Sequence, residues 1–180
     1  MDIEVDGRRV IIGGPAPEIH AFATAEAADK RARFMREALT WVGTPFADCA
    51  DIKGRGGAVD CAMLLVRSAV DAGLLPPFDP RPYSPRWHLH RSEEKFLIWL
   101  KDNLCAREVE VPRVGDVIVY NFGRTFSHGA IVLSSSEIVH AWFAAGMTLV
   151  SRRDEPLLNF ISYRSQNYKR PAKAFGIWGG

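Results

Sequence analysis

Three residues of this 180-residue chain are of types that together could carry nucleophilic chemistry: Cys61, His128 and His140. Cys61 follows Asp60 and opens an apolar run, Ala62-Met63-Leu64-Leu65-Val66, shortly after the glycine-rich stretch Gly54-Arg55-Gly56-Gly57. The pattern predicts a helix from Cys61 to about Ala72, ended by Gly73. At a helix N-terminus the unpaired N–H groups and the macrodipole favour an anion, so the position predicts a thiol with a lowered pKa and raised nucleophilicity. The glycines would let a substrate backbone come close. Position alone leaves an equal alternative, that Cys61 is a small buried hydrophobe.

The histidines lie in two β-type runs, Ser127-His128-Gly129-Ala130-Ile131-Val132 and Ile138-Val139-His140-Ala141-Trp142. A hairpin centred at Ser134 would set His128 six residues before the turn and His140 six after it, as near-opposite partners on neighbouring strands. One histidine alone is more commonly structural. Two side by side, facing a helix N-terminus that carries a cysteine, would supply a nucleophile, a base and a group to orient the base.

The elements that must position them read as helices first and sheet second. Thr24 to Val42 has helical composition, with Thr24 as N-cap and Ala27, Phe34, Ala38 and Trp41 on one face, stopped by Gly43-Thr44-Pro45. Residues 43–59 read as loop. Five prolines between positions 74 and 91 exclude helix and central strand there, and the aromatics among them predict an ordered loop packed on the body. Ser92 is the expected cap of a third helix through Leu104. Strands are expected at Asp116–Tyr120, Gly129–Ser134, Glu137–Trp142 and Met147–Ser151, joined as an antiparallel meander, with a last strand near Ala174–Trp178. This order means an α+β domain over residues 24–180, preceded by a lead-in at 1–23.

Composition narrows the function. Lys plus Arg number 23 against 21 Asp plus Glu, a formal charge of +2, too balanced to imply nucleic acid as the main partner. No apolar run has the length of a membrane span. The first residues lack the apolar core of a secretion signal, so synthesis in the cytoplasm is expected. Cys49, Cys61 and Cys105 are an odd count, without the spacing of a disulfide framework.

Four motifs also carry a resemblance, over about residues 35–143. Trp41-Val42-Gly43-Thr44-Pro45-Phe46, Gly57-Ala58-Val59-Asp60-Cys61, Val114-Gly115-Asp116-Val117-Ile118 and His128-Gly129-Ala130-Ile131 stand in order. They resemble the NlpC-type cell-wall cysteine peptidases, with His140 at the place of the family's third catalytic residue. The resemblance implies a papain-like fold, the helix of the nucleophile packed on an antiparallel sheet. It implies Cys61 as nucleophile, His128 as base and His140 as the group orienting it, with Asp60, Phe46, Ser127 and Trp142 supporting the site or the substrate. The implied substrate is the stem peptide of peptidoglycan, with no cofactor. Phe46 departs from the family's usual tyrosine, and Ala62-Met63 from its usual Ser-Gly.

The Tyr83–Trp87 loop and the long segment between Cys61 and His128 resemble members associated with the tails of phages and gene-transfer particles. Such a particle, with tail proteins as partners, would deliver the enzyme to the cell wall. Other readings stay open: a catalytically silent structural or wall-binding tail component, or an amidase or acyltransferase with the same Cys–His dyad. A zinc site built from His88, His90 and Cys49 or Cys61 is disfavoured by the absence of any standard metal motif, so no metal is expected.

Overall fold

The computed structural model describes residues 25–83 and 93–178, together with the backbone of β1 (Asp2–Val5) and β2 (Arg8–Ile11), which pair antiparallel. Helix α1 (Ala25–Leu39) buries Ala27, Phe34, Met35, Ala38 and Leu39, the spacing of one helical face. It ends three residues earlier than Val42, and a turn leads into Gly43 at φ +84°, a conformation glycine adopts without strain. Within the expected loop 43–59, β3 (Asp51–Ile52) and β4 (Ala58–Val59) form a short ladder that leads into Asp60.

Helix α2 (Cys61–Asp71) is the buried central helix, with Met63, Leu64, Leu65, Val66, Ser68 and Ala69 inside. Gly73, at φ +68°, follows its C-cap, as expected. Helix α3 (Lys95–Leu104) has Glu94 at the capping position, not Ser92, which lies outside the described residues. The Glu94 carboxylate does not cap its own helix; it accepts the Phe126 N–H at 2.9 Å and ties the helix start to the sheet.

The main sheet has six antiparallel strands in the order β5-β12-β6-β7-β8-β9. Strands β6 (Val117–Phe122), β7 (Thr125–Val132), β8 (Glu137–Trp142) and β9 (Met147–Arg152) are the expected meander, with shifted ends. β12 (Ala172–Gly176) returns from the end of the chain to lie between β6 and β5 (Arg107–Val109). β5 is too short to signal itself by alternation. Also unforeseen were α4 (Pro156–Asn159) and the hairpin of β10 (Phe160–Tyr163) with β11 (Gln166–Lys169), whose residues are all exposed and so carry no inside–outside alternation.

The sheet has two covered faces. Val117, Val119, Ile131, Leu133, Val139 and Phe175 pack with α1, α2 and α3. Ile118, Tyr120, Ala130, Val132 and Ile138 face the other way, with Trp142 and the fully buried Leu158 of α4. Because β9 is at one edge and β12 near the other, the chain between them must cross the sheet, and Leu158 shows that it does so on this second face. Gly129 is the point of closest approach on the first face. A Cβ there would stand 2.6 Å from Phe96 Cζ and 2.8 Å from Leu65 Cδ1, so only glycine lets α2 and α3 pack this close to β7.

This is the expected α+β arrangement, with the helix that begins at Cys61 laid on an antiparallel sheet that carries both histidines.

Candidate active site

The start of α2 is built around Asp60. Its Oδ1 accepts the Met63 N–H at 2.8 Å, the N-cap bond, and its Oδ2 accepts the Cys49 N–H at 2.7 Å and the Tyr83 hydroxyl at 2.6 Å. Arg81 adds a fork to Asp51, with both contacts at 3.0 Å, and donates to the Cys49 carbonyl at 2.9 Å. The opening of the proline-rich loop is therefore fastened to the cap of α2. Burial raises the Asp60 pKa, opposed by the N–H groups and the Tyr83 hydroxyl that it accepts.

Cys61 is half-buried, and its thiol donates to the Ser127 carbonyl at 3.5 Å. Among the described residues it hydrogen-bonds neither imidazole. Burial first, and then the Asp60 charge, push this thiol up to about 12, against the opposing backbone N–H groups of Gly129, Cys61 and Ala62. The expectation of a lowered pKa is overturned. The helix N-terminus does favour the thiolate, but desolvation and an adjacent carboxylate outweigh it.

Ser127 is also where β7 departs from regular pairing. Tyr120 faces His128 and Asn121 faces Phe126, so Ser127 is the extra residue of a bulge. Its hydroxyl donates to the Phe122 carbonyl at 3.1 Å, and its own carbonyl takes the thiol. β7 pairs with β8 only at Ile131–Val139 and Val132–Ile138. Below that point the thiol lies against the backbone on either side of His128, at the Ser127 carbonyl and the Gly129 N–H.

The histidines do meet, with His128 Nε2 2.8 Å from His140 Nδ1. Two details of the expectation are corrected. The Ile131–Val139 pairing centres the hairpin at Ser135, one residue later than expected, so the two are diagonal rather than opposite. Moving the centre by one residue shifts each pairing by two, which keeps both side chains on one face. That face is the one away from the helices, shown by ring contacts of His128 with Tyr120 and Phe122 and of His140 with Trp142. The imidazoles thus do not face the body of α2, and the thiol meets β7 at its backbone, at the Ser127 carbonyl and the Gly129 N–H.

His140 is fully buried and His128 6% exposed. Burial holds His140 down to about 4, and burial, His140 and Arg170 hold His128 well below the ordinary histidine value. Both rings are neutral at pH 7. Arg170 reaches this neighbourhood by stacking on Phe122, its guanidinium 3.7 Å from the ring centroid, while Phe122 meets His128 edge-on at 5.5 Å. The far nitrogen of His140, Nε2, stands 2.9 Å from Ser151 Oγ.

The other expected residues divide. Trp142, 7% exposed, packs its ring 5.1 Å from that of His140. Phe46 packs beside Trp41, Val59 and Met63, bridges to Val59 and donates its N–H to Gly146 O at 2.8 Å, so it supports α2 from beneath and brings no polar group to the site. His88 and His90 lie outside the described residues. Among the described residues no group of three or more His, Cys, Asp or Glu could hold a metal ion. Sequence reasoning missed the contacts of Tyr83 and Ser151. The only signal for Ser151 is a polar residue two places after Leu149 on a strand facing β8. A cavity of about 890 Å³ opens beneath the crossover, lined by Tyr120, Arg153 and Arg170 among others, but it does not include Cys61 or either histidine.

No family model and no curated protein matches the chain. Among solved structures it is similar to the P60 domain of a M. avium subspecies paratuberculosis antigen, with 18% identity over 73% of this chain and 91% of that one, and a TM-score of 0.49. It is also similar to the peptidoglycan hydrolase RipB from Mycobacterium tuberculosis, with 18% identity over 89% and 72% of the two chains and a TM-score of 0.48. A third is RipD from Mycobacterium tuberculosis, a non-catalytic NlpC/p60 domain protein adapted to peptidoglycan binding, with 15% identity over 78% and 94% and a TM-score of 0.45. At these values the likeness assigns no role to any residue here.

Proposed function

We propose that this chain is a cysteine peptidase of the NlpC type that hydrolyses an amide bond in the stem peptide of peptidoglycan. The observation that carries the reading is the buried imidazole pair at 2.8 Å on β7 and β8, with the Cys61 thiol against the backbone on both sides of His128. His128 Nε2 is taken by His140, which leaves Nδ1 as the nitrogen for the thiol proton. In this reading the thiol turns from the Ser127 carbonyl towards that nitrogen as substrate enters. Sulfur attacks the carbonyl carbon, His128 takes the proton and then gives it to the leaving amine, and water releases the acyl group from the thioester. The Cys61 N–H is the oxyanion donor at the helix start. His140 accepts from His128 Nε2–H throughout and so holds its tautomer.

One observation favours a second reading, a silent wall-binding component: the resting thiol is neutral and bonded to a carbonyl rather than to its base. Incubating purified peptidoglycan with the wild type and with Cys61→Ala separates the two. Fragments released by the wild type alone, identified by mass spectrometry, support the peptidase and name the bond. Wall binding by both proteins without fragments supports the silent component. Substituting His128 by alanine should lower turnover by about 10²- to 10⁴-fold, the usual worth of a general base. Carriage on a phage-like tail, with tail proteins as partners, rests on sequence resemblance alone. Detection of the chain in purified particles, and its absence from the free lysate proteins, is the test for it.

A further inference from the structure

Resting on that reading, we infer that Ser151 is a positioning residue that sets which nitrogen of His128 carries the proton. Three groups stand in line: Ser151 Oγ is 2.9 Å from His140 Nε2, and His140 Nδ1 is 2.8 Å from His128 Nε2. Each neutral imidazole has one N–H and one bare nitrogen, so the chain has two consistent proton registers. In the first, His140 Nδ1–H donates to His128 Nε2, and His128 carries its proton on Nδ1. That nitrogen is then a donor and cannot take a proton from a thiol. In the second, His128 Nε2–H donates to His140 Nδ1, His140 Nε2–H donates to Ser151 Oγ, and His128 Nδ1 is bare. Only the second leaves a base.

The second register puts an N–H on the inner nitrogen of a fully buried ring, and Ser151 Oγ is the acceptor that the structure offers it. A buried N–H without a partner is a costly state, more so than a bare acceptor nitrogen. Removing the hydroxyl strands the His140 N–H in a fully buried ring, whereas the N–H of the blocked register is on the less deeply buried His128, so the balance shifts to the blocked register. The strand pairing supplies the contact. Ser151 pairs with Ile138 and Leu149 with His140, so Ser151 is the diagonal neighbour of His140 on the same face. The half-buried hydroxyl can still donate outward while it accepts from His140. No residue beyond the chain's own is needed, and no proton is gained or lost in choosing the register.

The test reads tautomers directly, by ¹⁵N spectra of the imidazoles in the full chain near pH 7. In the wild type His140 should carry its proton on Nε2 and His128 on Nε2. In Ser151→Ala the His140 proton should move to Nδ1, and turnover on peptidoglycan should fall by about 10- to 100-fold, less than loss of the base itself. Ser151→Thr keeps the hydroxyl on a β-branched residue suited to a strand and should restore both the tautomer and the rate. A wild-type His140 protonated on Nδ1 overturns the inference even if Ser151→Ala does not fold. So does an unchanged tautomer in Ser151→Ala, whatever its activity. If the wild type releases no fragments but the tautomer moves as stated, the peptidase reading fails and the role of Ser151 in setting the register stands.

Discussion

Two buried polar pairs sit on the same sheet and are held in opposite ways. On the helix side, Arg31 of α1 and Asp116, just before β6, are each 2% exposed and meet at 3.3 Å. Arg31 also donates to the Ile177 carbonyl at 3.1 and 3.3 Å, and Asp116 accepts the Arg113 N–H at 2.8 Å. On the far side, His128 and His140 are also buried and lie closer together, but burial keeps both neutral. A buried ion pair is committed to one geometry, because either partner alone would be a stranded charge. A neutral imidazole pair costs little to bury and can take a proton when the chemistry supplies a compensating charge. The first pair locks α1 to β6 and β12; the second is suited to change its protonation.

That contrast can be broken by substitution. The largest effect is expected at the ion pair: Arg31→Met should cost about 3–5 kcal/mol in urea unfolding by stranding Asp116, and adding Asp116→Leu should recover most of the loss. Equal stability of the single and double variants would mean that the pair is not a strut.

The histidine pair should show instead in the pH dependence. His140 titrates near 4 in the fold and near 6.5 in the unfolded chain. Between those values the unfolded state binds a proton that the folded state does not. Its contribution is therefore complete above pH 6.5 and is lost as pH falls towards 4, roughly 3 kcal/mol across the window. His128 is shifted in the same direction. Urea midpoints measured from pH 7 to pH 4 should fall less steeply in His140→Gln. Parallel curves for the two proteins would show that His140 is not held neutral by the fold.

Smaller effects sharpen the comparison at its edges. Gly129→Ala pushes a methyl group into Phe96 and Leu65 and should cost about 1–3 kcal/mol, visible as a lower Tm. A substitution without effect there would mean that α2 and α3 pack less tightly on β7. Tyr83→Phe removes one hydroxyl from Asp60 and should cost about 1–2 kcal/mol. Its clearest sign would be faster hydrogen exchange at the Cys49 amide, which shares the same carboxylate oxygen. Unchanged exchange would detach the proline-rich loop from the cap of α2.

How much of this was legible without coordinates follows from the range of each cause. Local pattern was enough for α2 and its start at Asp60–Cys61, for the face of α1 and for the β6–β9 meander, because periodicity and capping act within a few residues. The residue types Cys61, His128 and His140, in that order, were enough to raise the chemistry as an expectation and to lead to the pair that meets at 2.8 Å. The exposed β10–β11 hairpin left no such pattern, and although a last strand was expected near the end of the chain, nothing local told that β12 would pair with β6. Three features of the site belong to the tertiary structure alone. The bulge at Ser127 depends on pairing with β6. The partner of His140 Nε2 is 11 residues away on another strand. The direction of the Cys61 shift reversed because helix-end N–H groups and the neighbouring Asp60 can be read from position, whereas the desolvation that outweighs the N–H groups arises only when the sulfur packs against the backbone of β7.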